Sequence, residues 1–99
     1  MIDLPAIVGF EWDDGNARKN DKHGVSQSAA EEVFFKQPLV LREDTRHGGQ
    51  ESRYHVLGKT HAGRNLHITF TLREDGILIR VISARDMHRK ERSIYEQAD

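Results

Sequence analysis

A chain of 99 residues, 36% hydrophobic and 31% charged, has material for one domain spanning 1–99 and leaves most side chains near water or near a partner. No apolar run reaches membrane-spanning length and the start lacks a secretory-signal pattern, so a soluble, cytoplasmic protein is expected. The absence of cysteine excludes disulfides, thiolate metal sites and thiol nucleophiles.

In chain order, Ile7–Trp12 predicts a short first strand. Asp13 offers an N-cap for a polar helix running to about His23, with Gly24 in the position that follows a helix end. Ser28 and Glu31 have capping-box spacing and predict a second helix that buries Ala29, Ala30, Val33 and Phe34. Pro38–Arg42 reads as a strand, followed by a turn-rich stretch over Glu43–Gln50.

Three alternating segments follow. Their core faces are Tyr54 and Val56; Leu66, Ile68, Phe70 and Leu72; and Ile77, Ile79 and Val81. Asp75-Gly76 predicts a tight hairpin that pairs Leu72 with Ile79, Phe70 with Val81 and Thr71 with Arg80. The looser turn near His61 predicts Tyr54 opposite Ile68 and His55 opposite His67. The other face then displays Glu51, Arg53, His55, His67, Thr69, Thr71, Arg73 and Arg80, in a strand set with one apolar and one polar side. From Arg85 the period becomes helical. Ser83 and Asp86 are the predicted cap, and Met87, Glu91 and Ile94 the predicted inward stripe. The fold class expected is α+β: a short N-terminal strand, two helices, three or four further antiparallel strands and a C-terminal helix.

The formal net charge is only −1, yet between Arg53 and Arg92 nine basic residues face four acidic ones. Basic excess is therefore concentrated on the predicted sheet and last helix. Arginines with histidines and a carboxylate suit a phosphodiester, because the planar guanidinium matches phosphate oxygens and holds the charge of a transition state. Glu51, His55, His67, Glu91, Lys22, His23 and Tyr95 are the groups able to exchange the protons. With RNA, the neighbouring 2′-hydroxyl is the nucleophile. Histidine spacings with metal-binding signatures are absent, and no cofactor or metal is expected. The competing reading is a non-catalytic module in which the same arginines bind nucleic acid or protein.

Four blocks together resemble the BrnT family of bacterial ribonuclease toxins. They are Phe10-Glu-Trp-Asp13 with Asn16, Asn20 and Lys22-His-Gly-Val25; the Ala-Glu-Glu-Val-Phe helix from Ala30; Glu51-x-Arg53 with Gly58; and Arg80-Val-Ile-Ser-Ala-Arg85 with Glu91-Arg92-x-x-Tyr95. The resemblance covers about residues 8–95 and departs at Gly15, inside the first helix, and at Gln50. It implies a RelE-like fold and metal-independent cleavage of RNA. It also implies a BrnA-like, DNA-binding antitoxin in a two-plus-two heterotetramer, with promoter DNA bound only through that antitoxin. Carried onto this chain, it implies that Arg53, Arg80, Arg85 and Tyr95 lie at the RNA site. Combined with the proton-exchanging groups and the basic face read above, the expected catalytic set is Arg53, Arg80, Arg85, Tyr95, Glu51 and His55, with Lys22, His23, Arg73 and Arg92 on the RNA.

Overall fold

The computed structural model describes residues 6–21, 23–36, 38–44 and 52–98. Strand β1 (Gly9–Phe10) is followed by helices α1 (Asp14–Asp21) and α2 (Gln27–Val33), strands β2 (Val40–Asp44), β3 (Arg53–Lys59), β4 (Asn65–Arg73) and β5 (Leu78–Asp86), and helix α3 (Arg89–Glu96). The five strands form one sheet in the order β1-β5-β4-β3-β2. Strands β2 to β5 are an antiparallel meander, whereas β1 runs parallel to β5, so the sheet is mixed. The fold class is α+β, as expected, and no helix among the described residues is long and apolar enough to cross a membrane.

Alternation along β3, β4 and β5 buries Val56, Leu66, Ile68, Phe70, Ile79 and Val81 on one face, where Ala30, Val33 and Phe34 of α2 and its C-terminal turn cover them. Among the described residues Phe70 is the largest fully buried side chain, and it contributes roughly 1.5–3 kcal/mol by burial alone. Its ring meets Phe34 edge-on at 5.1 Å and stacks with Tyr54 at 5.4 Å. Helix α2 can approach β3 closely because Gly58 has no side chain: a Cβ there would lie 2.6 Å from Val33 Cγ1.

The β4–β5 pairing matches expectation, with Thr71 opposite Arg80, Leu72 opposite Ile79 and Phe70 opposite Val81. The connecting turn has positive φ at Asp75 and Gly76, and Ile77 N–H donates to the Glu74 carbonyl, as the predicted tight turn needs, but Glu74 is left-handed too (φ +53°), so the turn takes up 74–77 between the strands. Beyond Phe70 the register shifts. Thr69 pairs with Ser83, so Ile82 is an extra residue on β5, a β-bulge. The strand therefore continues to Asp86 and buries Ala84, instead of ending at a Ser83 helix cap. His88 precedes α3, and its backbone N–H donates to Glu91 at 2.8 Å. On that helix Tyr95, not Ile94, turns inward against Leu57 and Met87.

Two other local expectations shift. Ser26 rather than Ser28 caps α2, accepting from Ala29 N–H at 3.1 Å, and Glu31 instead receives the Trp12 indole N–H at 2.7 Å. Strand β3 slides two residues relative to the predicted pairing, placing Tyr54 opposite Phe70 and His55 opposite Thr69. Tyr54–Phe70 stacking offers a reason for that choice. Asp13 caps α1 as predicted, its Oδ1 accepting from Gly15 and Asn16 N–H, and Gly24 has φ +66° after the helix.

Candidate active site

Because α3 crosses only one end of the face opposite the core, a cleft of about 660 Å³ opens between it and strands β2 to β5. The strands deliver Asp44, His55, His67 and Arg85 to it, and α3 contributes Lys90, Glu91 and Ile94. His55 Nε2 lies 3.0 Å from Asp44 Oδ2, and its Nδ1 lies 3.0 Å from Thr69 Oγ1. If the buried Asp44 is ionised and only accepts, it fixes Nε2–H as the donor and leaves Nδ1 to accept from the threonine hydroxyl. The ring of His67 is 5.1 Å from that of His55. Burial first, then the positive charge of Arg85, lowers the His67 pKa to about 4, against a smaller upward pull from Glu91. His67 is consequently a neutral base at pH 7.

Arg85 faces His67 across the ladder and grips Glu91 with both guanidinium nitrogens, Nη1 to Oε1 at 2.9 Å and Nη2 to Oε2 at 3.0 Å. Those bonds lead in holding the Glu91 carboxyl down to about 2, helped by the His88 N–H and opposed by burial. Glu91 Oε2 is also 4.0 Å from His67 Nε2. A carboxylate thus occupies a point on which a guanidinium fork and a backbone N–H converge beside the His67 ring, an arrangement suited equally to a phosphate.

Other predicted site residues lie elsewhere. Arg80 is on the same sheet face but outside the cleft, donating to Glu11 Oε1 at 2.9 Å and to both oxygens of Asp13 at 2.8 and 3.0 Å. Its hydrogen bonds lead in lowering the Asp13 pKa to about 2. Arg73 Nε approaches Glu11 at 3.9 Å. Arg53 is half-buried on β3, level with Asp44 of β2, and does not line the cleft. Tyr95 is buried beneath α3, its hydroxyl donating to the Pro38 carbonyl at 2.9 Å, and Arg92 is exposed on the same helix. His23 is exposed in the turn after α1, where its carbonyl accepts from Arg64. Lys22 and Glu51 lie outside the described residues.

Asp44 and Thr69 escaped the sequence reading. Asp44 sat in a stretch read as loop, and Thr69 was only one hydroxyl on a polar face; the two-residue slide of β3 against β4 sets Thr69 opposite His55, and the continuation of β2 to Asp44 brings that carboxylate to the same ring. Arg64 was also missed. It clamps Asp86 at 2.6 and 3.1 Å and the Gly24 carbonyl at 2.8 Å, tying the end of β5 to the turn after α1. Among the described residues no three or more His, Asp or Glu stand close enough together to hold a metal ion.

A family model described as "Ribonuclease toxin, BrnT, of type II toxin-antitoxin system" matches residues 12–91. No curated protein matches the chain.

Proposed function

The chain belongs to the BrnT family of ribonuclease toxins of type II toxin–antitoxin systems, and from that premise we propose that it cleaves RNA in the α3 cleft without a metal ion. The supporting observation is the convergence of His55, His67 and Arg85 in one cleft. In this reading the phosphate before the bond to be broken displaces Glu91 from the Arg85 fork. Neutral His67 takes the proton of the adjacent 2′-hydroxyl, whose oxygen attacks phosphorus. Arg85 stabilises the added charge of the pentacoordinate state. The departing 5′-oxygen takes its proton from water, to which His67 then returns the one it holds, while His55, fixed between Asp44 and Thr69, lines the site. One P–O bond forms and one breaks, leaving a 2′,3′-cyclic phosphate and a 5′-hydroxyl.

Incubating the purified chain with unstructured RNA in excess EDTA tests this. Fragments carrying cyclic phosphate ends are expected. Intact RNA with a salt-sensitive mobility shift is the outcome of a non-catalytic binder.

Family membership in a toxin–antitoxin system brings an antitoxin partner. We propose that this partner is a DNA-binding protein that assembles with the toxin as a two-plus-two heterotetramer and alone supplies the promoter contact. The near-neutral net charge of −1 supports that division of labour. Co-expression with the neighbouring reading frame, followed by the mass of the complex and promoter binding of complex and free toxin, checks it. Equal promoter binding by the free toxin overturns it.

A further inference from the structure

Resting on the ribonuclease reading, we propose that the apolar end of the α3 cleft is a subsite for one unpaired nucleobase, so that the enzyme takes single-stranded RNA and cuts beside the seated base. Val40, Leu57 and Ile94 form that end of the cleft. Ile94 is 39% exposed although Tyr95, the next residue on α3, is buried at 5%. The helix therefore spends one large apolar side chain on the core and leaves another facing the opening.

The two ends of the cleft are matched to a single nucleotide. Ile94 stands one helical turn beyond Glu91, which puts their Cβ atoms roughly 5–6 Å apart. A base against Ile94 then leaves its own phosphate near the Arg85 fork, where the Glu91 carboxylate now sits. The cleft volume of about 660 Å³ is that of a small-molecule pocket, which holds a base and a phosphate but not a duplex. A paired base is kept out by its own stack.

Charge at the rim agrees. Arg42 of β2 and Lys90 of α3 flank the opening, both exposed and neither in an ion pair among the described residues. They suit the phosphates on either side of the seated nucleotide. Glu43 also borders the cleft, but on β2 it lies opposite Tyr54, whose phenol is pushed up first by burial and then by the nearby Glu43 carboxylate.

The test uses the full-length chain with three substrates: an unstructured RNA, the same RNA annealed to its complement, and the same RNA with an abasic ribose 5′ of a mapped cut. Cleavage about tenfold or more slower is expected for both modified substrates, which is the scale of losing one apolar contact set. Ile94→Ser, at an exposed position, should lose most of that difference and broaden the map of cut sites, whereas Arg85→Ala should slow cutting of all three substrates by about 10²–10³. An abasic RNA cut as fast as its parent, or an Ile94→Ser protein with unchanged rate and sites, overturns the subsite while leaving the ribonuclease reading intact. If the wild-type chain cuts no RNA, the reading on which the subsite rests fails, and methyl NMR then decides the subsite. Shifts of Val40, Leu57 and Ile94 on titration with adenosine or uridine 3′-monophosphate, absent with inorganic phosphate, support it, and no shift overturns it.

Discussion

Arg80 and Arg85 stand five residues apart on one strand and yet occupy the same face of the sheet. An odd separation on a regular strand puts side chains on opposite faces. The extra residue at Ile82 restores parity, so that Arg80 lies beside Thr71 and Arg85 beside His67, both on the polar face. Without the bulge Arg85 would turn into the core face occupied by Ile68.

The two arginines should respond differently to truncation. Arg85→Ala removes the fork at the proposed phosphate position, and RNA cleavage should fall by about 10²–10³. Arg80→Ala breaks three charge-assisted bonds to half-exposed carboxylates that tie β5 to the start of α1. Its expected effect is a lowered urea midpoint, softened by solvent screening at the exposed Asp13, with specific activity largely kept in the folded fraction. Urea denaturation alongside a cleavage assay separates the two, and normal stability with lost activity in Arg80→Ala contradicts the structural role.

Asn16 is 3% exposed and its side chain is committed on both ends. Its Nδ2 donates to the Glu11 and Val81 carbonyls at 2.9 Å each, and its Oδ1 accepts from Asp13 N–H at 2.7 Å. Asn16→Asp keeps the shape but sets an oxygen against two carbonyl oxygens. A loss of about 2–4 kcal/mol in unfolding free energy is expected from urea denaturation. A change under ~0.5 kcal/mol contradicts this network.

Acid should weaken the fold through His67. An unfolded imidazole takes its proton near pH 6.5, while folded His67 resists protonation down to about 4. Between those values the unfolded state holds more protons, so stability falls as pH drops, by about 3 kcal/mol at most. Glu91 adds a second loss, beginning near pH 4.5 and running towards its folded pKa of about 2. Thermal melts of wild type and His67→Gln across pH 7 to 4 measure the first step, which should flatten in the variant. Parallel curves are the contrary result.

Gly58→Ala puts a methyl 2.6 Å from Val33 Cγ1 and 3.0 Å from Leu39 Cδ2. Neither neighbour is at the end of a long flexible chain, so α2 must lift. A cost of about 1–3 kcal/mol is expected from chemical denaturation.

Much of this fold was legible because alternation from Tyr54 to Val81 sets most of the inward side chains, and the Asp75-Gly76 turn sets the β4–β5 register; Ile77, expected inward, instead lies in the turn before β5 and is 41% exposed. The bulge at Ile82 was not legible: Ser83 to Arg85 read equally well as a helix start, and only pairing with β4 decides. The cleft suffered for the same reason. His67 and Arg85 meet through the bulge, and Asp44 reaches His55 through a strand that continues past Arg42. Family resemblance pointed to Arg85 by position, but only the three-dimensional pairing reveals that Glu91 closes its fork.

The parallel pairing of β1 with β5 also bears on the order in which the chain assembles. Strands β2 to β5 join near neighbours in sequence, while the contact from Glu11 to Arg80 spans 69 positions. Closing so large a loop is slow and gains little until the meander exists to receive it. The segment made early is therefore expected to be incorporated late, with the bonds from Val8 N–H to the Ile77 carbonyl and from Glu11 N–H to the Ile79 carbonyl forming last and opening first. Native-state hydrogen exchange should find these two amides opening at lower free energy than those of Ile68 and Phe70, with the lifetime of the folded chain set at this edge and not in its aromatic core.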